Sequence, residues 1–104
     1  TLTLIVCTDT ATSGNTVFQA AWERHQDGVD NLTTDSFATA VIGATTAVPG
    51  TAHIVKYITI AFTNGAQLDS LAAGEHGRLK ITRNTTNDTV SGNVFLVGFE
   101  AKET

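Results

Sequence analysis

The chain contains no methionine, one proline (Pro49), one cysteine (Cys7), one tryptophan and one tyrosine. Each shortage excludes something. A single cysteine leaves no intramolecular disulfide, so stability has to come from a hydrophobic core. Cys7 lies in an apolar, strand-like run and reads as a small buried hydrophobe. Charged residues make up only 15% of the chain and hydrophobic ones 41%. That balance is too apolar for a disordered chain and too polar for a membrane protein. No apolar run approaches the ~18–20 residues of a membrane helix. The longest runs, Leu4-Ile5-Val6-Cys7 and Val94-Phe95-Leu96-Val97, are strand-sized. Basic charge is scarce too: six Lys and Arg against ten Asp and Glu give a net charge of −4, and only Arg78, Lys80 and Arg83 cluster. Nucleic acid is therefore not an expected partner.

What the chain does have is threonine, at 19 of 104 positions. Threonine is β-branched and stiff, fits a pleated surface, and keeps an exposed strand face hydrated. The length suits one domain, spanning 1–104, with a thin margin of core. There is no internal repeat and no linker-like composition. The chain enters a strand pattern directly at Thr1, which suggests a processed product or a domain that continues before this point.

Alternation supplies the elements. Residues Thr1–Thr8 alternate Leu2, Leu4 and Val6 against Thr3 and Ile5. Asn15–His25 places Phe18, Ala20 and Trp22 on one face and Val17, Gln19, Ala21 and Glu23 on the other. Phe37–Thr46 is a weaker strand, blurred by alanines, and Val48-Pro49-Gly50 is a turn. Thr51–Phe62 is the longest strand candidate, with its stripe at Ile58, Ile60 and Phe62. Asn64–Gly74 is the one helical candidate: Asn64 suits an N-cap, Leu68 and Leu71 share a stripe, and Gly74 is a stop, giving a short helix near 65–73. Gly77–Asn84 points Leu79 and Ile81 inward. Val94–Lys102 sets Phe95, Val97, Phe99 and Ala101 on one face and Val94, Leu96 and Gly98 on the other. Both faces are greasy, so that strand is buried on both sides or lies in a subunit contact. Six strands with turns every ~8–15 residues predict an all-β, antiparallel β-sandwich.

Reactive chemistry is hard to find. His25, His53 and His76 have no second ligand at a metal-site spacing, so no metal site is expected within one chain. A symmetry axis could still gather copies of one histidine. No serine sits in a nucleophile elbow, and Cys7 has no activating neighbour. Asp9, Asp27, Asp30, Asp35 and Asp88 fall in polar turns, where aspartate builds the turn itself. Asp27–Asn31 is rich in oxygen ligands but lacks a full calcium-loop pattern. The N-x-Thr sequons at Asn31, Asn84 and Asn87 read as loop chemistry. Trp22 and Tyr57 are the candidates for stacking on a glycan, against a core or interface role. No catalytic residue and no cofactor is expected, and the chain does not read as an enzyme.

Four stretches, Ala11–Arg24 (ATSGNTVFQAAWER), Ile58–Gly65 (ITIAFTNG), Leu68–Ile81 (LDSLAAGEHGRLKI) and Val94–Thr104 (VFLVGFEAKET), resemble in order and spacing a family of tailed-bacteriophage virion surface proteins. The chain departs from that pattern at Glu75-His76-Gly77 and at Arg83-Asn84-Thr85. The resemblance implies a jelly-roll-like domain on a capsid, fibre or tail. It would decorate the capsid or extend a fibre by oligomeric contacts, as a homotrimer with other virion proteins as partners; the two apolar faces of the last strand make Phe95, Val97 and Phe99 the candidate contact residues. The alternative is a receptor- or glycan-binding module at a fibre tip, contacting host-surface glycan through Trp22 or Tyr57. Either role places the chain at the virion surface and away from any membrane.

Overall fold

The alternation of the first residues becomes strand β1, Leu2–Thr8, in which Leu2, Leu4, Val6 and Thr8 are buried and the residues between them half-buried. The computed structural model describes residues 1–103. β1 is followed by β2 (Asn15–Thr16), β3 (Phe18–His25), β4 (Val41–Ile42), β5 (Thr46–Ala47), β6 (Lys56–Ile60), β7 (His76–Arg83) and β8 (Val94–Ala101). Every pairing is antiparallel. One three-stranded sheet runs β6-β1-β8, a second runs β4-β3-β7, and β2 pairs with β5.

The two larger sheets share one core. β1 contributes Leu2, Leu4 and Val6, β6 contributes Ile58 and Ile60, and β3 contributes Phe18 and Ala20, with Leu79, Ile81 and Val94 packed at the margin. Direct cross-strand neighbours lie on one face, so Leu4 with Ile58 and Leu2 with Ile60 form continuous apolar rows across the sheet. Each such side chain, fully removed from water, contributes roughly 1.5–3 kcal/mol before entropy is set against it.

Five expectations need correction. There is no helix among the described residues. Residues 64–70 form successive turns; Asp69 and Ser70 have φ of 53° and 54°, and Ser70 N–H reaches back to the Gly65 carbonyl rather than continuing an i→i−4 ladder. Asn64 does not cap a helix; its side chain bridges Gly65 N–H and the Leu71 carbonyl. The strand expected over Asn15–His25 breaks at Val17, whose N–H is taken by the Asp88 carboxylate. Phe37–Thr46 is not one strand: only Val41–Ile42 joins β3, and Thr46–Ala47 pairs with β2 instead. Thr51–Phe62 shrinks to Lys56–Ile60, because residues 51–53 turn, with His53 at φ 65°.

The fifth correction concerns β8. Ile5 faces Gly98 but Val6 faces Leu96, so Val97 is an extra residue, a β-bulge. The bulge resets the alternation. Val94, Leu96, Phe99 and Ala101 share the face of Thr8, Val6, Leu4 and Leu2, while Phe95 sits beside Cys7 on the opposite face. β8 is not buried on both sides.

Candidate functional site

β8 is an edge strand that offers its apolar side chains to solvent. Phe95, Leu96, Val97 and Phe99 are 44%, 42%, 61% and 57% exposed. Phe99 and Leu96 point the same way as the fully buried Leu4 and Val6, yet the second sheet does not reach beneath them. On the outer face, Tyr57, Ile5 and Gly98 form one row and Cys7 with Phe95 the next. Ile5 leans toward Gly98, where an added Cβ would lie 3.9 Å from its Cδ1. The result is an apolar surface that runs over the outer face and wraps around the β8 edge. The free edge adds a row of backbone donors and acceptors with no strand beside them among the described residues.

The expected glycan residues do not converge. Tyr57, 64% exposed, stands on the outer face of the first sheet. Trp22 shares the inward face of the second sheet with Leu79 and Ala20. It lines an open cleft of about 620 Å³ with Phe62, Leu68, Leu71 and the Thr1 end of the chain. Leu68 and Leu71 thus line the same cleft from a segment that is not helical. The indole covers Gly77 on β7, where an added Cβ would fall 2.5 Å from Cζ2, and its Nε1 is buried without a partner. Such covering of a glycine in an edge strand is aromatic rescue.

Three ion pairs organise the second sheet. Glu23, 1% exposed, accepts from Arg78 Nε and Nη2 at 3.1 and 2.8 Å and contacts His25 Nε2 at 2.7 Å. Arg78, then His25, hold its carboxyl below the ordinary range against the opposing effect of burial. Glu75 accepts from Arg24 and from Ala72 N–H; these hydrogen bonds, Arg24's first, bring it down to about 2. Burial pushes Asp88 upward, but hydrogen bonds from Arg83, the Thr16 hydroxyl and the Val90 and Val17 amides outweigh it and hold the carboxyl well below its usual value. The cluster Arg78, Lys80 and Arg83 is thereby divided. Arg78 serves Glu23, Arg83 serves Asp88, and Lys80 lies 4.7 Å from the Phe37 ring centroid with Arg78 at 5.3 Å.

Sequence reasoning singled out Phe95, Val97 and Phe99, and all three are on the exposed strand. It named Tyr57 only as a stacking or interface candidate and Leu96 only as part of the strand's second apolar face, and it did not join them with Ile5 into one surface, because the bulge and the cross-strand rows exist only once β1, β6 and β8 are paired. The chain matches no family model, no curated protein and no solved structure.

Proposed function

We propose that the chain is a structural module of a tailed-bacteriophage virion, a jelly-roll-like β-sandwich that decorates the capsid or builds a fibre by binding copies of itself and other virion proteins. The observation that carries the assembly role is β8: an eight-residue edge strand with four exposed large apolar side chains. Soluble monomers seldom leave a contiguous patch of this kind uncovered, and a long apolar edge is a template for another chain. The ordered resemblance of four segments supports the virion setting. A homotrimer at the virion surface is the assembly this reading favours.

The test is the mass of the purified chain by analytical ultracentrifugation. A discrete oligomer is expected, converted to monomer by Val97→Asp or Phe95→Ser with the far-ultraviolet circular dichroism unchanged. A wild-type chain that stays monomeric at high concentration and does not bind phage particles overturns the proposal. A monomer that saturably binds host polysaccharide favours the alternative, a glycan-binding fibre tip, for which Tyr57 offers an exposed ring.

A further inference from the structure

His25 and His76, far apart in sequence, are direct cross-strand neighbours: His25 ends β3 and His76 begins β7. Opposed residues of an antiparallel pair project on one face with Cβ atoms about 4.5–5.5 Å apart, close enough for both imidazoles to reach one ion. Glu23 lies two residues back on β3 and shares that face. Its carboxylate, clamped by Arg78, can only accept, so the 2.7 Å contact is His25 Nε2–H donating to Glu23 Oε1. In a neutral ring this leaves the lone pair on Nδ1. A buried carboxylate holding one ring nitrogen is the arrangement that orients metal-binding histidines.

The surroundings favour a cation. The pair borders a concavity of about 520 Å³ that Asp27, Asp30 and Glu75 also line. Glu75 is committed to Arg24, and Asp30 Oδ2 to the Gln26 amide, while Asp27 is exposed. We propose that His25 and His76 form a two-imidazole chelate for a divalent transition-metal ion of the zinc class, with Glu23 as a positioning residue behind His25. Imidazole selects such ions over calcium or magnesium, which need several oxygen ligands. The nearby Asp27–Asn31 loop is poorly suited to calcium, since Asp30 and Asn31 spend side-chain oxygens closing the loop itself. Among the described residues no three His, Cys, Asp or Glu groups gather to hold an ion. The remaining coordination positions therefore fall to water or to a second molecule.

The experiment is calorimetric titration of the intact chain with Zn²⁺, in parallel with Ca²⁺, while NMR follows the imidazole resonances. Saturable Zn²⁺ binding is expected, with the ring signals of His25 and His76 shifting together. His76→Ala should abolish binding over the same concentration range. His76 is exposed and its replacement leaves the Glu23–Arg78–His25 contacts in place, so the variant should fold. His25→Asn provides a second variant from the other strand. No saturable Zn²⁺ binding, binding that survives His76→Ala in the folded protein, or Ca²⁺ binding equally well overturns the proposal.

Discussion

Asp88 is the residue whose single carboxylate ties the β2–β3 junction to the end of β7 and the loop after it. It accepts from Thr16 Oγ1, Val17 N–H, Arg83 Nε and Nη2, and Val90 N–H, at 2.8–3.1 Å. Its side chain is 1% exposed. Removing one partner of a buried pair leaves the other charge uncompensated, at a cost of about 3–5 kcal/mol. Asp88→Ala should therefore unfold at markedly lower urea concentration than the wild type. The paired carboxylates also set the acid response. Glu75 has a folded value of about 2 against an ordinary 4.5, so between these pH values the unfolded state binds more protons. The stability this group contributes is complete above about pH 5 and is lost as pH falls toward 2. Thermal melts should decline as pH falls below about 5, and Glu75→Gln should lessen that decline. The sequence identified Asp88 only as a turn residue. Nothing local to Asn84–Val90 announces Thr16 and Val17, because their approach depends on β3 pairing with β7 and on β2 lying against the loop that follows β7. The same holds for His25 and His76, whose juxtaposition is created by strand register.

At the scale of elements, the bulge at Val97 decides what β8 presents. Unbroken alternation from Phe99 would put Val97 and Phe95 on Leu4's face; the extra residue puts Leu96 and Val94 there instead. Deleting Val97 should therefore preserve the fold, since Gly98 would still meet Ile5 and Leu96 would still meet Val6, now in continuous register. Deleting Ile5 should prevent folding, because it forces either Leu2 and Leu4 or Val6 and Thr8 off the core face. Circular dichroism and thermal melts of the two deletions check this contrast. Strands of strict alternation, β1 and β7, were legible almost to the residue. Irregular segments were not. Whether Val41–Ile42 joins β3, or where residues 51–55 leave off and β6 begins, depends on partners supplied by distant chain. The segment 64–74 resembled a helix because Leu68 and Leu71 both line one cleft, yet the left-handed conformations at Asp69 and Ser70 exclude one.

For the whole molecule, the proposed assembly through the β8 edge would link stability to concentration. If native copies associate and unfolded ones do not, dilution lowers the melting temperature. A concentration series by calorimetry should display that dependence in the wild type and its loss in Val97→Asp. The ends of the chain carry a different consequence. Thr1 and Lys102 lie side by side, each donating a backbone-level hydrogen bond to the other's carbonyl at 2.7 and 2.8 Å, at the mouth of the β1–β8 pair. A pull applied through these two ends opens that ladder one rung at a time, starting at Leu2 and Ala101, so the load never spreads over all the rungs together. Tension along such a path unzips the domain easily, whereas tension that slides β1 past β6 must shear several bonds at once. If the domain does assemble as proposed, the assembly would withstand strain best where neighbours grip its strands lengthwise rather than by the ends.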